Sequence, residues 1–408
     1  MVVNKKYILA YGLKNAVEHQ GKAVVGAVIA GLFNHGLKKE NIRKEMPGIQ
    51  KVLDEINSLE PEEQEVLFEK HRNLIGHRVE REGLPELPNF KKGRVVTRFA
   101  PSPSGALTLG HILTIGPNFL YVKKYGGKFY IRIEDTNPEN IYKPAYKMIE
   151  KEAKWLCENN VEIVIQSERM NLYYKYAEKL IDSGAAYVCE CDNDKFKELL
   201  SKNKACPCRD LDKKEQKKRW AKMLDKKGYV PGEVVLRFKS DLENKNPAMR
   251  DFPLARINTT KHPLQGNKYR VWPLMNLSVV TDDIEMKMTH IIRGKDHKDN
   301  AERQKMMYKI LGKEKQFPWV GFIGRLHFND LEMSASKMRK DIEEGKYSGW
   351  DDARLPTAAS FKKQGYKPEI FWKYVEERGI SEVDKIISKK DFFKSLENFR
   401  KFSGPRKP

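Results

Sequence analysis

The sequence predicts an α/β fold, a doubly wound parallel sheet flanked by helical segments, and three observations carry that expectation. Residues 94–138, RVVTRFAPSPSGALTLGHILTIGPNFLYVKKYGGKFYIRIEDTNP, read as strand, turn, helix and strand. Short β-branched runs then alternate with helical patterns of about 14 residues as far as Tyr187, the order that a parallel sheet covered on both faces requires. Residues 1 to about 90, by contrast, carry helical patterning throughout.

Within the opening unit, Val95-Val96-Thr97 is a β-branched run suited to a buried strand. The turn APSPSG stops helix and strand alike, because its prolines lack an N–H and its glycine favours a bend. A helix opens near Gly110-His111 and stops at Gly126-Gly127. A strand from Lys128 to Ile133 follows and delivers Glu134-Asp135. The helix N-terminus at Gly110 offers unpaired N–H groups and partial positive charge, which suit a nucleotide phosphate.

Ahead of this unit, helices are expected at Lys5–Glu18, Ala23–Phe33, Lys39–Lys44, Gly48–Asn57 and Pro61–His71, with no catalytic constellation among them. Gly83 to Lys92 reads as a linker. Beyond it come a helix at Pro144–Glu158, a strand at Val161–Ile165 and a helix at Glu168–Asp182. Right-handed crossovers place the strand C-termini, and so APSPSG and Glu134, along one edge, where the active site is expected.

Cys189, Cys191, Cys206 and Cys208 form two C-x-C pairs around a predicted helix, Asp194–Lys202. Four thiolates from two such knuckles fit tetrahedral Zn²⁺, and a full donor set leaves no open position, so a metal here is structural. Cys157, on an apolar helix face, reads as core. A basic helix between Arg209 and Gly228 and strands at Glu233–Lys239 and Asp251–Ile257 follow. Further strands are expected at Asn276–Thr281 and Thr289–Arg293, then a helix at Asp299–Leu311. Asp282-Asp283, at a strand end, should point apart and serve turn chemistry rather than a metal or acid–base pair. LHFNDLEMSASK reads as a polar loop before a short helix, and the chain closes with helices at Pro368–Arg378, Glu382–Ile387 and Lys390–Phe402, then SGPRKP.

With 77 Lys and Arg against 56 Asp and Glu, the net charge of +21 favours a polyanionic partner, nucleic acid first. No stretch approaches the roughly 20 apolar residues of a membrane helix, which excludes a membrane partner of that kind; Ala23–Phe33 is too short. The N-terminus lacks a small-residue cleavage site, so no signal peptide is expected. Five cysteines, four of them clustered, point to a reducing, cytoplasmic setting.

RFAPSPSG, TLGH and RIEDTNP, in that order and spacing, resemble the catalytic domain of the archaeal-type glutamyl-tRNA synthetases, class I aminoacyl-tRNA synthetases. VWPLMNLSVVTDD, HIIRGKDH, MSASK and GWDDARLPT extend the resemblance over nearly the whole chain. It implies a Rossmann-like sheet split by an α+β insertion: a helical extension and linker (1–92), a first catalytic half (93–187), an acceptor-stem-binding insertion with the cysteines (188–268), a second half with the MSASK loop (269–345) and a helical stem-contact segment (346–408). It implies Arg98 and Arg293 for the substrate carboxylates, Ala100 and Ser102 beside them, and Glu134 for the ammonium. Two arginines suit a substrate with two carboxylates, since each offers a fork. His111, with Thr108 and Gly110, would handle the triphosphate, His297 the adenylate, and Met333, Ser334, Ser336 and Lys337 the mobile loop over the phosphates.

Two departures mark this sequence. Thr108 replaces the first histidine of the HIGH motif, and Glu332 and Ala335 replace both lysines of KMSKS, leaving the role to Lys337. The implied function is ATP-dependent activation of L-glutamate and its transfer to tRNA(Glu), with tRNA(Gln) left open, and ATP, Mg²⁺ and structural Zn²⁺ as cofactors. A monomer acting on the acceptor stem is expected. The family's anticodon-binding β-barrels find no counterpart in the sequence, so a separate anticodon-binding protein is a candidate partner. Other readings are a glutamyl transferase acting on a modified tRNA base, a nucleotidyltransferase, and a non-catalytic tRNA-binding paralogue. The RIED segment and the 188–268 insertion argue against the nucleotidyltransferase.

Overall fold

The computed structural model describes residues 4–19, 21–75 and 83–402, so the closing SGPRKP lies outside the described residues. The chain divides into two compact units, residues 1–81 and 82–408.

The first unit is helical: α1 (Lys5–Glu18), α2 (Val25–Leu32), α3 (Ile42–Asn57) and α4 (Pro61–His71). Asn4 caps α1 by accepting the Lys6 N–H, and a Glu60–Glu63 capping box with Pro61 in the first turn starts α4. The two helices expected at Lys39–Lys44 and Gly48–Asn57 are corrected to one, α3, which runs through Pro47. A proline inside a helix costs about 3 kcal/mol. Here the buried seam Ile49, Val52, Leu53 and Ile56 packs against Ile8 and Leu13 and offsets it. Close approach needs a small residue: a Cβ on Gly12 would lie 2.5 Å from Ile56 Cδ1.

The second unit opens with β1 (Val95–Phe99), α5 (Leu109–Tyr125), β2 (Gly127–Ile133), α6 (Ala145–Leu156), β3 (Glu162–Ile165) and α7 (Met170–Asp182). β1 pairs with β2 and β2 with β3, both parallel, as the alternating pattern requires. The insertion follows: β4 (Ala186–Cys189), α8 (Asn193–Ser201), α9 (Lys213–Leu224), β5 (Val235–Phe238), β6 (Pro253–Ile257) and β7 (Val271–Pro273). Its four strands form an antiparallel sheet in the order β4-β5-β6-β7, and Leu236, Leu254 and Val271 share one core with Tyr176 and Leu180 of α7 and with Leu277, Val280 and Met307.

After β7 the chain forms α10 (Met275–Glu285), β8 (His290–Gly294), α11 (Lys298–Ile310) and β9 (Trp319–Ile323). The strand expected at Asn276–Thr281 is thus a correction: the segment is helical. Every residue from Asn276 to Ile284 is buried, so no polar stripe reveals the helical period.

β8 and β9 are parallel, and β8 is set beside β1: Thr289 donates its N–H to Val96 O at 3.0 Å, and Val96 donates to Thr289 Oγ1 at 2.9 Å. Asn118 of α5 locks β8, donating to Ile292 O (2.9 Å) and accepting the Ile292 N–H (3.1 Å). Strands therefore run outward from β1 in one direction and from β8 in the other. The crevice beyond their C-terminal ends is a switch point of the kind where open α/β sheets bind ligands.

Last come β10 (Leu326–Phe328), α12 (Ala335–Glu343), α13 (Ala358–Lys363), α14 (Pro368–Arg378), β11 (Lys385–Ile387) and α15 (Lys389–Phe402). The helix expected at Glu382–Ile387 is a second correction. Lys385–Ile387 is a strand paired in parallel with β10, and Gly324 donates its N–H to Ser381 O at 2.7 Å. Among the described residues no helix is long and apolar enough to cross a membrane.

Candidate active site

β1 and β8 end side by side in Arg98-Phe99 and Arg293-Gly294, and the neighbouring β2 leads into Glu134. Between them lies a cavity of about 190 Å³ walled by Arg98, Ala100, Glu134, Met275, Arg293 and His297. Arg98, Ala100, Glu134, Arg293 and His297, expected at the site from the sequence, are five of the twelve residues that line it, and the two arginines lie 195 positions apart in the chain.

The arginines differ in how they are held. Arg98 directs Nε and Nη2 at both oxygens of Asp283, at 2.9 and 3.0 Å, a bidentate ion pair out of water. Arg132, fully buried beneath the cavity, donates to the same Asp283 at 2.5 Å and to Glu134 Oε1 at 3.1 Å. Burial alone would raise the Asp283 carboxyl, but Arg98 and Arg132 outweigh it and hold it at about 2. Arg293 instead donates one N–H to Gln304 Oε1 at 2.9 Å, and its buried Nε has no hydrogen-bond partner. Burial, with the nearby charge of Arg98, pushes Arg293 down to about 10. A buried guanidinium with a donor unfilled, near Asp283 and Glu134 but hydrogen-bonded to neither, favours an anion.

A larger cavity of about 810 Å³ adjoins the first, sharing Thr114, Gly294 and Asp296 as wall. Gly110, Met333 and Lys337 line it together with Arg325, His327 and Arg378. Thr108 is the N-cap of α5 and forms a capping box with His111: its side chain accepts the N3 backbone N–H, and His111 Nδ1 accepts the Thr108 N–H at 3.2 Å. That bond puts the proton of the neutral ring on Nε2, leaving Nε2–H as the donor. Burial lowers the His111 pKa to about 4, so the ring stays neutral at physiological pH. The Gly110 Cα faces Met333, whose Cε would lie 3.5 Å from an added Cβ.

In the loop before α12, Ser334 is the N-cap and accepts the Lys337 N–H, while Lys337 Nζ lies 2.6 Å from Glu332 Oε2. The residue that replaces the first lysine of the motif is thus the counter-ion of the lysine that remains. Ser336 is exposed, and neither it nor Ser334 lines the cavity. Ser102 is exposed within the turn, where its carbonyl accepts the Ser104 N–H, and it lines neither cavity. His297 lines the smaller cavity, and burial lowers its pKa.

Several residues at the site escaped sequence reasoning. Asp282 and Asp283 are fully buried members of α10, not turn residues, and each accepts from arginine. Adjacent acids in an otherwise apolar run were the available signal. Arg132 is the arginine of RIED, and Gln304 lies on the inner face of α11. Glu152 of α6 is buried and accepts the Leu107 N–H at 2.6 Å, directly before Thr108.

In the insertion the four cysteines converge, with all sulfurs within 4.8 Å of one another. The pairs Cys189–Cys206 and Cys191–Cys208 are each 3.8 Å apart. Tetrahedral Zn–S bonds of about 2.3 Å place sulfurs about 3.8 Å apart, so the donor set fits Zn²⁺. Arg219 Nη1 and the Glu190 N–H donate to Cys208 Sγ at 3.3 and 3.4 Å, as outer partners of a thiolate do.

The family profile described as tRNA synthetases class I (E and Q), catalytic domain, matches residues 94–401. Glutamate–tRNA ligase of Methanobrevibacter smithii is 40% identical over 398 residues, 97% of this chain and 71% of that one. The ligase of Pyrococcus abyssi is 43% identical over 94% of this chain and 68% of its own length, and that of Methanocaldococcus jannaschii 42% over 92% and 67%. Among solved structures, a glutamate tRNA ligase from Elizabethkingia meningosepticum in complex with its amino acid superposes with a TM-score of 0.53 at 20% identity. That match covers 75% of this chain and 68% of the other, and it supports the fold.

Proposed function

The chain belongs to the class I tRNA synthetases of the glutamate and glutamine type, and to the glutamate–tRNA ligases among them; we propose that its two adjoining cavities activate L-glutamate with ATP and pass it to tRNA. The observation that carries the assignment of sites is the buried Arg293 guanidinium, its Nε donor unfilled, in the smaller cavity with Arg98 and Glu134. Glutamate brings two carboxylates and one ammonium to a cavity that offers two guanidinium groups and one carboxylate. Arg98 gives its remaining N–H groups to one substrate carboxylate and Arg293 gives its free donors to the other, while Glu134 takes the ammonium. Glutamine, one charge short, would leave Arg293 uncompensated, which is the basis of discrimination in this reading.

The larger cavity takes ATP, with Mg²⁺ neutralising the phosphates when it is bound. The glutamate α-carboxylate attacks the α-phosphorus in line, pyrophosphate leaves, and glutamyl-adenylate remains. His111 lines neither cavity; in this reading its neutral Nε2–H turns to the triphosphate beside Gly110, the Leu109 N–H being already given to Pro356 O and that of His111 to Thr108. Lys337 leaves Glu332 for the phosphates, and Met333 covers the nucleotide against Gly110. The tRNA 3′-terminal ribose hydroxyl then attacks the adenylate carbonyl and AMP leaves. Residues 188–268 meet the acceptor stem, and the Cys189, Cys191, Cys206 and Cys208 set holds a structural Zn²⁺.

ATP–pyrophosphate exchange with tRNA present tests this reading. Exchange that depends on glutamate, and that glutamine does not support, is expected. Equal exchange with both amino acids would remove Arg293 from the role given to it.

A further inference from the structure

Asp282 and Asp283 have no part in the chemistry above, yet both carboxylates are buried within α10. Neighbouring helical residues diverge by about 100°, so the two leave the helix in different directions. Asp282 faces the segment that enters α7, accepting from Gln166 Nε2 (2.9 Å), Arg169 Nε (2.7 Å) and Tyr173 OH (2.8 Å). Asp283 faces the substrate side. Its Oδ1 accepts from Arg98 Nε and Arg132 Nη1, and its Oδ2 accepts from Arg98 Nη2. Arg132 in turn reaches Glu134. Asp283 does not itself line the cavity.

We propose that Asp283 is a positioning residue for the amino acid: one buried carboxylate fixes the plane of the Arg98 guanidinium and, through Arg132, the carboxylate of Glu134. The inference rests on the reading of Arg98 and Glu134 as glutamate-binding groups. A carboxylate is needed because three N–H donors converge on its two oxygens. The amide of asparagine offers one acceptor oxygen and would turn its NH₂ toward a guanidinium, donor against donor. Two guanidinium groups would then share a dry site without their common anion, and Arg98 would lose the orientation that presents its remaining N–H groups to substrate. Asp282, by contrast, ties α10 to α7; it lies 3.6 Å from Arg132 Nε, a longer contact than the Asp283 pair, and makes no hydrogen bond to Arg98.

The test is tRNA-supported, glutamate-dependent ATP–pyrophosphate exchange with the full chain carrying D283N, D283E, D282N, R98K and D283N/R98K, with melting temperatures in parallel. Absence of exchange in the unaltered chain would overturn the underlying reading and the inference with it. With that chain active, D283N is expected to raise the glutamate KM about 10- to 100-fold and to move the ATP KM less than about twofold. D282N should lower the melting temperature without that split. Because the effect passes through Arg98, adding D283N to R98K should raise the glutamate KM by less than about threefold more. Should D283N not fold, D283E carries the test: it keeps the charge but shifts it by one methylene, and the glutamate KM should rise alone. Parallel changes in both KM values, or full additivity with R98K, would overturn the proposal.

Discussion

Replacing Glu152 by glutamine should change how the stability of the second unit depends on pH. Glu152 lies beneath the turn that carries TLGH, and its Oε2 accepts the Leu107 N–H at 2.6 Å. Burial lifts its carboxyl from 4.5 to about 8, against the pull of the Leu107 N–H and of Lys151. The folded state therefore holds a proton that the unfolded state has released. Such a group contributes its full stability below the unfolded value of 4.5, and that contribution is lost as pH rises through about 8. Between pH of about 5 and about 7.5 the shift spans roughly 2.5 units, on the order of 3 kcal/mol at ~1.4 kcal/mol per unit. Glutamine keeps an oxygen for Leu107 and cannot ionise. Urea titrations of both proteins across that range should diverge, with the unaltered chain losing stability relative to E152Q as pH rises. Parallel pH profiles would refute the reasoning, because they would mean that Glu152 is ionised in the fold.

Arg293→Met should raise the glutamate KM about 100-fold or more, the loss of roughly 3 kcal/mol of charge-assisted hydrogen bonding, with the ATP KM within about twofold; equal rises in both, measured by exchange, would contradict the assignment. Purified chain should contain about one zinc by elemental analysis, and Cys206→Ser with Cys208→Ser should abolish it and lower the melting temperature. A metal-free preparation that melts like the untreated protein would exclude a structural metal at that site.

The edge that carries the candidate site was legible because its signals are local. APSPSG, Gly110-His111 and Glu134 sit at turns and element ends, where special residues are needed whatever the rest of the chain does. The crossover rule set APSPSG and Glu134 along one edge, whereas Arg293 was joined to Arg98 through the resemblance alone, since no local pattern sets β8 beside β1. α10 was not legible as a helix. Val279-Val280-Thr281 favours a strand by propensity, and burial on all sides removes the alternation of polar and apolar residues that separates the two periods. The error hid the site's internal counter-ions, since Asp282 and Asp283 looked like the end of a strand. At Lys385–Ile387 the strand exists through pairing with β10, a contact that no local window contains. Pro47 likewise reads as a stop, and the α3 seam against α1 overrides it. The cysteine spacing announced a four-sulfur cluster, and the fold brings all four sulfurs within 4.8 Å of one another, two pairs of them at 3.8 Å, a set that could hold a metal.

The most direct test of the central claim is attachment of radiolabelled glutamate to unfractionated tRNA with ATP and Mg²⁺, followed by mild alkaline treatment. Labelled tRNA whose label is released in base is expected, as for an ester at the 3′-terminal ribose. Label that survives base would mean transfer to another position, such as a modified base. No label at all would contradict the chain's action as a glutamate–tRNA ligase on its own.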